Sequence, residues 1–148
     1  MANIIRLSKD KFLETFKFAP RPAVSLIIKN PSGEFLLAKR SYQPLKGLWY
    51  LPGSFIYKNE HLFDCAVRVG KRELGIDIAF EQFSPKGFFE NIYSDSRGHV
   101  IELIYEAILT TEQIAQMKPV EEIKMLKEIP KEEMYSGHDK ILKHLGYK

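Results

Sequence analysis

Apolar positions change period several times along the chain, and each change marks an element. Phe12, Leu13 and Phe16 recur at helical spacing behind Ser8, a good N-cap, and predict a short amphipathic helix over 8–18 ended by Pro20 and Pro22. Residues 23–28 and 34–38 are strand-rich runs flanking the turn Asn30-Pro31-Ser32-Gly33, so a hairpin is expected there. Pro44, Gly47, Pro52 and Gly53 make 41–54 mostly loop, with room for a short strand over 48–51. From Glu60 the spacing turns helical: Leu62, Ala66, Val69, Gly70 and Leu74 share a face, while Glu60, Asp64, Arg68 and Arg72 follow one another at i, i+4. Gly75 closes that helix as a C′ residue. Residues 76–93 read as one long or broken strand, Asp95-Ser96-Arg97-Gly98 as a turn, and 100–109 as its partner strand. After an irregular connection over 111–120 come a last strand over 123–129 and a closing helix beginning at Pro130, with Glu132 and Glu133 in its first turn. This order predicts an α/β (α+β) fold, a mixed β-sheet between helices.

Composition narrows the function classes. At 148 residues the chain is expected to form one domain, residues 1–148, with 1–20 as a helical extension. Cys65 is the only cysteine, which excludes an internal disulfide framework and a cysteine-rich zinc site; it reads as a small apolar filler. Lysine and arginine total 22 against 19 acidic residues, a net charge of +3. That excess suits an anionic small molecule and is thin for a nucleic-acid binder. Charged residues interrupt the N-terminal stretch at Arg6, Lys9, Asp10 and Lys11, and no apolar run is long enough to span a bilayer, so a cytoplasmic protein with no membrane partner is expected. The histidines offer little: His99 sits at a hairpin edge, and His138 and His144 are expected on the surface of the closing helix.

Chemistry concentrates in residues 52–76. There Gly53, Glu60, Arg68, Glu73, Gly75 and Ile76 line up in an order that resembles the Nudix box: Gly, five residues, Glu, seven residues, then Arg-Glu-apolar-x-Glu-Glu-x-Gly-apolar. Two departures stand out. Six residues separate Gly53 from Glu60, and Val69 and Arg72 replace the other two helix glutamates. Together with Asn30-Pro-Ser-Gly-Glu-Phe-Leu-Leu-Ala-Lys39-Arg40, then Pro44, Gly47, Trp49, Pro52 and Gly53, they make the chain most similar to the GDP-mannose mannosyl hydrolase subgroup.

The resemblance implies a Nudix-type mixed sheet between helices. It also implies a Mg²⁺-dependent hydrolase that cleaves a nucleoside diphosphate sugar, GDP-mannose or a relative, into nucleoside diphosphate and sugar. On it, Glu73 and the Gly53 carbonyl hold Mg²⁺, Arg40 reaches the diphosphate, and Arg68, also assigned to substrate binding, chiefly braces the helix carboxylates. Arginine forks match phosphate oxygens well. Four subgroup groups are replaced: Pro119 and Val120 stand at the late-loop glutamine and histidine, Phe55 at a second arginine, and Asn91 at another histidine. Glu121 and Glu122 are the nearest candidates for the base, and His99 in the preceding hairpin is another. A degenerate Nudix domain that binds a nucleotide or nucleotide sugar without cleaving it fits the same depletion. The subgroup's habit also implies a homodimer contact through the N-terminal helix, which could equally cap its own sheet.

Overall fold

A computed structural model describes residues 2–43 and 45–148; Pro44, one of the motif positions, lies outside the described residues. The predicted mixed sheet between helices is the fold observed. Strand β1 (Arg21–Lys29) is its axis. Along one edge it runs parallel to β6 (Val100–Ile108), and β6 pairs antiparallel with β5 (Phe83–Asn91). The other edge is shared. Its first half pairs with the short β4 (Gly53–Phe55) and its end turns into β2 (Phe35–Lys39), which continues to β3 (Trp49–Tyr50) and to β7 (Glu122–Leu126). A fork therefore opens where β2 and β4 leave β1.

Both faces of β1 are covered, which is why it reads as an unbroken apolar run. Val24, Leu26 and Ile28 pack with Cys65, Ala66, Val69 and Leu74 under α2 (Leu62–Val69) and its π-helical continuation (Gly70–Leu74). Ile27 packs on the opposite face with Phe35, Trp49, Leu51, Ile104, Ile141 and Leu142 under α4 (His138–His144). Ser25 points to this second face, its buried hydroxyl donating to the Glu102 carboxylate. Burial pushes the Cys65 thiol up to about 12, so it stays a neutral filler.

The Glu60–Arg68 pair ties α2 to the sheet. Arg68 Nε and Nη2 donate to the two Glu60 carboxylate oxygens at 2.6 and 2.9 Å, Nη1 to Ser54 Oγ at 3.0 Å and Nη2 also to the Phe55 carbonyl at 3.1 Å. Burial would raise the Glu60 carboxyl, but the Arg68 bonds and the Tyr57 N–H outweigh it and hold it below its ordinary 4.5. A lowered carboxylate stabilises the fold above its unfolded pKa and loses that contribution as pH falls through the folded value. Glu60→Gln is expected to cost roughly 2–3 kcal/mol at pH 7, below the range for fully buried pairs because Arg68 is partly exposed. Urea melts between pH 7 and pH 3 should show the gap to the wild type closing on acidification.

Several elements differ from expectation. Strand β5 begins at Phe83, because Ile76 and Ile78 are drawn under α2 and a 3₁₀ turn (Phe80–Gln82) intervenes. The irregular connection contains a helix, α3 (Thr111–Gln116), whose Thr110 and Gln113 cap each other reciprocally. Strand β7 runs from Glu122 to Leu126, starting and stopping earlier than predicted. The closing helix starts at His138, not Pro130. Lys131 and Glu132 form a bend, Met134 is drawn into the core beside Trp49 with extended backbone, and Gly137 at φ 72° sets the helix start. The N-terminal helix, α1 (Lys9–Thr15), rests on its own sheet: the Phe12 and Phe16 rings meet Phe55 edge-on, with centroids 4.8 and 5.6 Å away. No helix among the described residues is long and apolar enough to cross a membrane.

Candidate active site

A cleft of about 260 Å³ opens at the fork beside β1. Ala23, Ser25 and Glu102 belong to its strands, Gly53, Ser54 and Phe55 form one lip, and Arg40, Tyr42 and Tyr135 form the other. Gly53 is forced at this lip: a Cβ there would stand 2.7 Å from the Val24 carbonyl oxygen. Only glycine lets β4 approach β1 so closely.

Three arginines converge on the cleft. Arg40 follows β2, where its backbone pairs with Leu48 and Gly47. Its guanidinium lies between two rings, 4.3 Å from the Tyr42 centroid and 4.5 Å from that of Tyr135. Contact with two rings orients the fork. Arg97 holds Asp95 with both arms at 2.9 and 2.7 Å, donates to the Tyr135 hydroxyl at 3.0 Å, and sits 4.8 Å from the Phe55 centroid. Burial pulls the Asp95 carboxyl up, but the Arg97 bonds and charge prevail and keep it below its usual range. Arg72, in the π-helical turn, is the third.

Arg72 bears directly on the predicted metal position. The structure brings the Gly53 carbonyl and the Glu73 carboxylate together as expected, but Arg72 Nη2 donates to both, at 3.1 and 3.2 Å. Mg²⁺ asks for near-octahedral oxygen at ~2.0–2.1 Å. One carboxylate and one carbonyl already joined to a guanidinium do not meet that need, and the described residues hold no group of three or more ligating side chains. The residues present do not fit the ion as they stand. Burial raises the Glu73 carboxyl, and Arg72 and the Gly53 backbone only partly offset it. Burial also holds the Tyr50 phenol well above its ordinary value, reinforced by Glu73 and Glu121.

The remaining predicted residues separate. Glu121 accepts from Ser41 Oγ at 2.9 Å and lines a hollow shared with Tyr42, Tyr50, Arg72 and Glu73. Glu122 is exposed on β7 opposite Lys39, away from that hollow. Arg68 is engaged with Glu60 and is not among the described residues that line the cleft, so the expectation of substrate contact gives way to a bracing role. His99 meets Glu90 at 3.3 Å on an exposed edge. Asn91 is buried and bonded to Ser136.

Sequence reasoning missed the cleft floor. His138, expected on the surface, is buried: its Nδ1 accepts from the Leu51 N–H at 2.9 Å, which puts the proton on Nε2, 3.1 Å from Glu102 Oε1. Ser25 Oγ donates to the same oxygen at 3.2 Å. Glu102 Oε2 is one of two buried side-chain polar atoms without a partner among the described residues, the other being Arg21 Nε. The available signal was period two: Val100, Glu102 and Ile104 share a strand face, and a carboxylate there interrupts an apolar row.

The NUDIX domain family matches residues 19–145, all but the N-terminal helix and the last few positions. The chain belongs to the Nudix family. Among relatives, the Low-salt glycan biosynthesis protein Agl8 of Haloferax volcanii is 33% identical over 115 residues, covering 74% of this chain and 72% of that protein. An ADP-ribose pyrophosphatase of Methanocaldococcus jannaschii is 31% identical over 101 residues, covering 68% of this chain and 59% of the relative, so the chain spans less than two thirds of that protein. The fold is shared by the NUDIX domain of Shewanella oneidensis NrtR, solved with ADP ribose, at TM-score 0.65 and 21% identity over 93% of this chain and 96% of that one. Nudix hydrolases generally work with divalent metal ions, which makes the position of Arg72 in this member a departure with consequences.

Proposed function

We propose that this Nudix protein is a cytoplasmic hydrolase of a nucleoside diphosphate sugar, GDP-mannose or a related GDP-sugar, releasing nucleoside diphosphate and free sugar. The convergence of Arg40, Arg72 and Arg97 on one aromatic-rimmed cleft carries this reading, since a diphosphate offers the planar forks several anionic oxygens. The name of the Haloferax relative, a glycan biosynthesis protein, favours a sugar nucleotide. The diphosphate lies on Arg40 and Arg97, and the Tyr42 and Tyr135 rings fix the Arg40 fork. Glu121, in the adjoining hollow, takes a proton from water as the oxygen attacks the sugar carbon. The carbon–oxygen bond to the diphosphate breaks, and the leaving group keeps the electron pair against the arginines. The test is a panel of nucleotide sugars incubated with pure protein in Mg²⁺ and in EDTA, following free sugar and phosphatase-labile phosphate. Free sugar together with nucleoside diphosphate is expected; no turnover by folded protein sinks this reading.

The contacts of Arg72 favour a second reading, a domain that binds the nucleotide sugar without cleaving it. Thermal stabilisation by GDP-mannose without any product would establish it, and released sugar that disappears in Glu121→Gln would exclude it.

A further inference from the structure

We infer that Arg72 is a tethered cation: its guanidinium takes the place between the Gly53 carbonyl and the Glu73 carboxylate where a divalent ion would otherwise be held, so that the cleft receives a diphosphate without one. A single nitrogen, Nη2, bridges the two oxygens at 3.1 and 3.2 Å. These are the same two groups that the Nudix-box resemblance assigns to the metal, and the residue joining them stands where the family motif has a glutamate. Glu73 has a side chain only 18% exposed, so its charge needs a partner at close range, and Arg72 supplies it. Arg72 itself is 47% exposed, and its Nε and Nη1 make no hydrogen bond among the described residues. A guanidinium has five donors, so those can reach a phosphate oxygen while Nη2 stays on the protein. A dication entering this position would have to displace Arg72 and then sit beside its charge, with Glu73 and Glu121 as the carboxylates that line the same hollow.

Two measurements test the inference, and only the second rests on the nucleotide-sugar reading. The first titrates Mn²⁺ into free protein and follows the loss of its free-ion electron paramagnetic resonance signal. The wild type is expected to bind no Mn²⁺ below millimolar concentration. Arg72→Glu, which restores the carboxylate, is expected to bind it about tenfold tighter or better, and Arg72→Gln to fall between them. Tight Mn²⁺ binding by the wild type overturns the inference, as does a wild type and a folded Arg72→Glu that bind alike. The second measures GDP-mannose affinity by calorimetry. In the wild type, EDTA and Mg²⁺ should give values within about twofold, whereas Arg72→Gln should lose about tenfold or more in EDTA and recover part of it with Mg²⁺. A wild-type affinity that rises tenfold with Mg²⁺ contradicts the tethered cation. If neither variant nor wild type binds GDP-mannose, the nucleotide-sugar reading fails while the Mn²⁺ titration still decides the role of Arg72.

Discussion

Glu121→Gln is expected to lower kcat for nucleotide-sugar hydrolysis by about 10²–10³-fold, with KM changed by less than about threefold. The amide keeps the shape of the carboxylate and can still accept from Ser41 Oγ, so the hollow beside Tyr50 and Glu73 should survive. What it loses is the capacity to take a proton from water, and that loss belongs to the transition state rather than to binding. Glu122 is the internal control. It is adjacent in sequence but exposed on β7, so Glu122→Gln should stay within about twofold of the wild type. Steady-state kinetics of both variants separates the two, and an equal loss in each would dissolve the distinction that the structure draws.

Arg97→Ala should have the largest effect on stability, about 3–5 kcal/mol, because it leaves Asp95 as an unpaired carboxylate with a side chain only 3% exposed. The cleft suffers with it. Arg97 also donates to the Tyr135 hydroxyl, and Tyr135 is one of the two rings that hold Arg40. Removing both partners, in Asp95→Ala with Arg97→Ala, takes away the stranded charge and should recover a large part of the stability. It cannot restore affinity for the nucleotide sugar. Urea denaturation alongside calorimetry resolves the two effects, and a double variant no more stable than Arg97→Ala would show that the pair contributes through something other than its charge.

How much of this was legible beforehand follows the range of the interactions. Alternating and helical periods are local, so β1, β2, α2 and the Gly75 cap were readable from neighbours a few positions apart. The reciprocal Thr110–Gln113 cap is equally local. Pro130 and two glutamates form a local start signal for the closing helix, which begins only at His138. The deciding contact, Met134 against Trp49, spans most of the chain. The candidate site divides in the same way. The box residues announced themselves by spacing, and the sequence revealed that an arginine had replaced a glutamate at position 72. Its reach across nineteen residues to the Gly53 carbonyl depends on how β4 packs beside the π-helical turn. Arg97 reads as part of a turn, since Asp95-Ser96-Arg97-Gly98 carries no hint that Phe55 and Tyr135 close around it. The Ser25–Glu102–His138 floor joins three elements and needed the parallel β1–β6 register to be seen.

The most direct test of the whole account is hydrolysis of GDP-mannose in ¹⁸O-labelled water, with the products resolved by mass spectrometry. Attack on the sugar carbon predicts label in the free sugar, unlabelled GDP, and the same outcome in EDTA as in Mg²⁺. Label in a phosphate, release of GMP with sugar phosphate, or no reaction by the folded protein would contradict it.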